Sequence, residues 1–198
     1  MPTCNRRANI AALTTDDLTE RMTLLAGELN PIDHMDCAVT LIAELGLRPG
    51  EVAGLSWRDV DLEHNIIVLR KTCDNAGDLH NLKTTYGRIV QLTPVAAESL
   101  RQRQKVLTAY LKRYARDLLE GNGPDAEPED TTPVICTPEG VRTRPRGISL
   151  WWNKNRRRFP MGNWTLANLR QARLRKAQTA SPIDLPTEAN SARRADLE

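Results

Sequence analysis

The sequence predicts a mixed α/β fold, mainly α-helical, with a small three-stranded antiparallel sheet. Three observations lead there. Apolar residues recur at helical spacing, with capping residues at the starts, on both sides of the chain's middle. Three short runs rich in β-branched residues follow one another between positions 66 and 92. A chain of 198 residues, 40% hydrophobic and 27% charged, can bury one sizeable core. The expected organisation is a leader over residues 1–12, one domain over 13–178 with an acidic loop at 117–132, and a tail over 179–198.

Thr14 or Thr15 can cap a first helix carrying Leu18, Met22 and Leu25, and a second runs from about Pro31 to Leu47. Gly46 ends that helix, and Pro49 with Glu51 opens the next at its first turn. Val52, Leu55 and Trp57 prolong an apolar face, which stops in the turn-forming run from Asp59 to Asn65. The strand-like segments are Ile66 to Lys71, Leu79 to Lys83 and Arg88 to Leu92, the last two joined by a tight turn containing Gly87. Together they make the expected three-stranded sheet. Pro94 starts a long helix to about Leu119, with Leu100, Val106, Leu107, Tyr110 and Leu111 spaced for one buried face. A short apolar piece, Val134-Ile-Cys, then precedes two further helices, near Ile148 to Arg158 and Leu166 to Ala177.

Composition excludes several classes of function. No apolar run approaches the roughly 20 residues that a membrane span requires, and no signal-peptide core is present, so a cytoplasmic protein is expected. Cys4, Cys37, Cys73 and Cys136 are far apart and are expected to be reduced. Neither they nor His34, His64 and His80 show metal-ligand spacing, so no metal and no other cofactor is expected.

A net charge of +3 hides an uneven distribution. From Val141 to Lys176 there are eleven basic residues and no acid, interleaved with Trp151, Trp152, Phe159 and Trp164. From Asp117 to Asp130 there are six acids and no base, in a Gly/Pro-containing stretch that reads as a solvated loop. A charge run often marks only a wet face. Basic helices interleaved with aromatic residues fit a polyanion-binding surface, and nucleic acid is the natural polyanion. The candidate DNA contacts are Arg142, Arg144, Lys154, Arg156, Arg157, Arg158, Arg173 and Arg175, with double-stranded DNA the expected partner.

One arginine stands apart. In GLRPGEVAGLSWRDVDL, residues 46–62, Arg48 sits at the junction of two helices, where a fork-shaped cation can be aimed at a phosphate. An arginine beside a helix end is commonly a solvated cap, but the ordered run around this one resembles the first signature of the tyrosine recombinase family, the phage integrases. In that family an apolar helix, G-[LI]-R-x-x-E and then L-x-W-x-D-[IV]-D precede a small sheet. The match falls on Gly46, Leu47, Arg48, Glu51, Leu55, Trp57, Asp59, Val60 and Asp61. NLKTTYGRIVQLTP is similar to the family's K-T-x-x-x-R-x-[VI]-x-L hairpin, and TLANLRQ, from Thr165, to its T-L-H-D-L-R-H.

The resemblance implies a catalytic domain of the DNA breaking-rejoining kind. It implies Arg48 and Arg170 on the scissile phosphate, neutralising charge that builds in the transition state, and Lys83 as the proton donor to the leaving 5′ oxygen. The family's nucleophile is a tyrosine that forms a covalent 3′-phosphotyrosine, so neither metal nor ATP is required. The present sequence departs from the pattern at two places. Ala167 stands where the family has histidine, with Asn168 for aspartate and Gln171 for the second histidine. None of Tyr86, Tyr110 and Tyr114 fits the nucleophile, whose place would fall beyond Glu198. The expected function is DNA binding in site-specific recombination or integration, with other recombinase protomers as further partners and no DNA cleavage by this chain alone. Two alternatives are a non-catalytic DNA-binding protein with a vestigial site, and a helical protein-interaction domain that binds no nucleic acid.

Overall fold

A computed structural model describes residues 13–82, 87–118 and 131–179. The leader, the tail from 180, most of the acidic loop, Lys83, Tyr86 and the Tyr114 side chain lie outside them.

Six α-helices are described: α1 (Thr15–Glu28), α2 (His34–Leu45), α3 (Pro49–Gly54), α4 (Pro94–Leu118), α5 (Pro145–Asn155) and α6 (Leu166–Thr179). Their starts follow from local chemistry. Thr14 caps α1 in a reciprocal pair with Asp17, each side chain taking the other's backbone N–H at 3.1 and 3.0 Å. Asp33 caps α2 by accepting from the Met35 and Asp36 amides, which starts that helix three residues later than Pro31. From Cys37 to Leu45 α2 is buried at nearly every position, and it packs against α3, α4, α5 and α6. It is the axis of the core.

The five strands are β1 (Val60–Asp61), β2 (Ile66–Leu69), β3 (Lys71–Cys73), β4 (Leu79–Asn81) and β5 (Arg88–Gln91). They form two antiparallel sheets rather than one. The three-stranded sheet has the order β1-β2-β5, with Ile66 opposite Gln91 and Leu69 opposite Arg88. Because β1 and β5 take both edges of β2, the segment from Leu79 has no place there. It pairs instead with β3, Lys71 opposite Asn81, in a separate ribbon. The expected run Ile66 to Lys71 accordingly divides at Arg70, whose carbonyl accepts from the Leu82 amide at 3.0 Å.

The long helix also differs from its expected face. Leu100 and Leu107 are buried, while Val106, Tyr110 and Leu111 are only half-buried. Arg103 lies on the buried face instead, 3% exposed, donating to the Val134 and Cys136 carbonyls. That charge-assisted pair ties α4 to the apolar Val134–Cys136 segment. Burial pushes the Cys136 thiol's pKa up and drives that of Cys37 to about 11, so both are inert core groups.

Candidate functional site

The corner between α2 and α3 is built as its residues dictate. Gly46 ends α2 in the left-handed region, φ 68°, where a side chain is disfavoured. Leu47 then plunges into the core, fully buried, and Arg48 follows in extended conformation and exposed. The Arg48 amide donates to Glu51 Oε2 at 2.8 Å, and its carbonyl accepts from the Val52 amide at 3.0 Å. Glu51, itself buried, also receives Arg88 Nη2 at 3.2 Å, which fastens the start of β5 to this corner. The backbone of Arg48 is thus held from both sides while its guanidinium stays outside.

Helix α6 crosses this corner. Its start is capped by Thr165 and Asn168, whose side chain accepts the Thr165 amide at 2.8 Å. The asparagine at the family's aspartate position therefore shapes the helix end. Arg170 Nε donates to the Gly46 carbonyl at 2.9 Å, and Arg173 Nε donates to the Glu44 carbonyl. Two arginines of α6 thus satisfy carbonyls that α2 leaves open at its C-terminus. No hydrogen bond among the described residues uses the Nη groups of Arg170.

Between these elements lies a pocket of about 440 Å³, lined by Arg48, Pro49, Ser149, Asn153, Thr165, Leu166, Ala167, Arg170 and Gln171. Arg48 and Arg170, far apart in sequence, share it. Its third wall is α5, through Ser149 and Asn153, which the sequence reading missed. Their spacing of four on one helix was the available signal. Two arginines lining one concave surface suit a tetrahedral oxyanion such as a phosphate far better than any neutral group. Ala167 adds a methyl group to the wall and no donor. No tyrosine lines the pocket among the described residues; Tyr110 borders a separate, smaller one with Pro138 and Glu139.

The remaining cations divide sharply. Arg144, Lys154, Arg157 and Arg158 are exposed, Arg158 resting 5.8 Å over the Phe159 ring and bonded to Asn155 at 3.1 Å. Arg142 turns inward. Its Nη1 donates to the Ala53 and Leu55 carbonyls at 2.6 and 3.2 Å, and Nη2 to Ser56 Oγ at 3.1 Å, which caps the C-terminal end of α3. Burial lowers its pKa. Arg156 is spent on the Asn163 carbonyl and Arg175 on that of Leu13. The interleaved aromatics serve the core: Trp152 stacks on Phe159 at 5.5 Å and donates from Nε1 to the Trp164 carbonyl at 2.8 Å.

The β3–β4 ribbon precedes Lys83 in the sequence. Its turn is organised by Asp74, which accepts the Ala76, Gly77 and Asp78 amides and bonds His80 Nε2 at 2.9 Å; these bonds hold its pKa at about 2. The ribbon is pressed against α3, where a Cβ on Gly54 would lie 2.7 Å from the Lys71 carbonyl. At the motif's other end, buried Asp59 pairs with Arg70 at 2.5 Å and accepts the Ser56 amide at 3.1 Å, so it holds the turn after α3.

No family model matches the sequence. Prophage integrase IntR of Escherichia coli (strain K12) is 36% identical over 80 residues, which cover 36% of this chain and 20% of that protein. Among solved structures, the Tn1549 transposon integrase in complex with circular intermediate DNA superposes with a TM-score of 0.53 at 17% identity, over 85% of this chain and 54% of that one. The same integrase in complex with transposon right end DNA gives 0.51 at 16% identity, over 85% and 53%. The chain thus spans about half of these integrase chains, and its match to the prophage integrase about a fifth of that protein. No described helix is long and apolar enough to cross a membrane. The chain is thus similar to a prophage integrase over part of its length, and it shares the fold of the transposon integrase with which it superposes.

Proposed function

We propose that this chain binds double-stranded DNA, placing one backbone phosphate in the pocket between Arg48 and Arg170, in the service of site-specific recombination or integration. The observation that carries the reading is that single pocket, in which the arginines of two separate motifs meet. Arg170 is anchored through its Nε, which limits the side-chain ordering it loses when an anion arrives, and Arg48 is fixed at its backbone. Arg144, Lys154, Arg157 and Arg158 supply flanking phosphate contacts, whereas Arg142, Arg156, Arg173 and Arg175 act mainly within the fold. In this reading Lys83, which follows β4 in the sequence, is the proton donor of the intact reaction. The transposon integrases that share the fold were solved on DNA, which supports the partner.

Ala167, which offers the pocket no donor, favours a second reading on the same scaffold, DNA binding with a vestigial site. The phosphate site that both readings share is tested by substitution. Arg48→Ala and Arg170→Ala are each expected to weaken binding to a 30-base-pair duplex about tenfold at low salt, and to reduce the slope of log affinity against log salt by about one. Full affinity in both variants would remove the phosphate from this pocket. On a nicked suicide duplex the chain is expected to leave no covalent adduct, and a stable phosphotyrosyl product would overturn the vestigial reading.

A further inference from the structure

The wall of the pocket contributed by α5 belongs to none of the three motifs. Ser149 and Asn153 lie one turn apart on that helix and both line the pocket. They differ in what they have left to offer. The Ser149 hydroxyl donates to the Pro145 carbonyl at 3.1 Å, an ordinary bond back into its own helix. The Asn153 amide is exposed and has no hydrogen-bond partner among the described residues. Gln171, on the facing helix one turn beyond Ala167, is likewise exposed and without a partner.

An anion held by Arg48 and Arg170 is neutralised on the sides those cations face, but the Ala167 side can give no hydrogen bond. A phosphate oxygen turned that way keeps its solvation demand and needs a donor. Asn153 and Gln171 are uncharged donors in the same pocket lining, and their side chains have no partner among the described residues. An amide has the right character there: it donates two N–H bonds, carries no charge, and does not titrate near neutral pH.

We propose that Asn153 is a phosphate-contacting residue of this pocket, its side-chain amide bonding, with support from Gln171, the nonbridging oxygen that faces Ala167. This rests on the reading of the pocket as the DNA-phosphate site. Nothing covalent changes in the step; the amide exchanges water for a phosphate oxygen.

The test is duplex affinity by fluorescence anisotropy at low salt, for Asn153→Ala, Asn153→Asp and Leu150→Asp. Leu150 is exposed on α5 and does not line the pocket, so its substitution controls for one added negative charge. Asn153→Ala is expected to weaken binding about fivefold, the effect of losing one hydrogen bond to a charged acceptor. Asn153→Asp is expected to weaken it well beyond Leu150→Asp, because a carboxylate beside the phosphate repels it at contact distance. Thermal denaturation of each variant confirms that it is folded. If both Asn153 variants bind like their controls while Arg48→Ala and Arg170→Ala still lose affinity, the assignment of Asn153 fails and the phosphate site stands. If the arginine variants bind fully as well, the phosphate reading itself fails.

Discussion

The two ends of helix α3 carry arginines with opposite fates. At its start Arg48 is exposed, with only its backbone engaged, and it lines an open pocket. At its end Arg142, reaching in from a distant segment, spends its guanidinium on two carbonyls and a hydroxyl and is half-buried. Helix geometry explains the second: the last carbonyls of α3 lack intrahelical partners, and a guanidinium satisfies them with charge-assisted bonds. It explains the first as well: a helix start presents amide donors, which a guanidinium, itself only a donor, cannot cap, and Glu51 accepts the Arg48 amide instead. The difference teaches that a cation's availability to DNA depends on the acceptors folded around it. Basic composition alone does not report it.

The comparison is broken or sharpened most forcefully at Arg142. Arg142→Ala strips a partly buried donor from three acceptors and is expected to lower stability by roughly 3 kcal/mol, or about 8 °C in Tm for a domain of this size. Duplex binding by the molecules that remain folded is expected to be nearly unchanged. Arg48→Ala is expected to do the reverse, leaving Tm within about 1 °C and weakening duplex binding about tenfold. Chemical denaturation and anisotropy on the same preparations read both axes. A large Tm loss in Arg48→Ala, or a selective DNA defect in Arg142→Ala, would erase the contrast.

Much of this corner was legible in the sequence because its constraints are local. Gly46 as a left-handed cap, Pro49 in the first turn of α3 and Glu51 as its acidic partner depend on neighbours within a few positions, and all three are found. The fold class was readable for the same reason, the helices starting at a capping residue or an N-terminal proline. What escaped depends on partners distant in sequence. The strand at Leu79 was placed in the wrong sheet because pairing is decided by which edges are already taken, and the two residues of β1 carry almost no signal. Arg103 and Arg142 look like surface bases until the carbonyls of residues 134–136 and 53–55 are brought to them. Asn153 escaped because it belongs to no motif, its spacing of four from Ser149 is a weak signal, and only the tertiary fold brings it to the pocket that Arg170 lines.

The mount of Arg48 offers a smaller test. Gly46 sits at φ 68°, and a Cβ there would come within 3.3 Å of Leu174 Cδ2 on α6. Gly46→Ala is expected to cost about 1 kcal/mol from the left-handed conformation, with the contact adding little because the leucine side chain can give. If the corner's rigidity also serves binding, duplex affinity falls slightly further than this loss of folded protein explains, whereas an unchanged affinity would make the glycine a matter of folding alone.

The smallest effect replays the opening contrast within three consecutive residues. Arg156, Arg157 and Arg158 form a single 3-10 turn after α5, so charge and position in sequence barely differ. Arg156 is half-buried against the Asn163 carbonyl at 3.2 Å, while Arg157 is exposed with no bond to the described residues. A freely solvated arginine contributes to DNA through counterion release, and Arg157→Ala is expected to weaken duplex binding about threefold at low salt, fading as salt is raised, with Tm unchanged. Arg156→Ala is expected to lower Tm by about 2 °C through its lost hydrogen bond and to affect binding less. The pair discriminates because both substitutions remove the same charge: equal losses of affinity would show that net charge alone governs binding at this turn, and that hydrogen bonding within the fold does not decide which arginines reach the DNA.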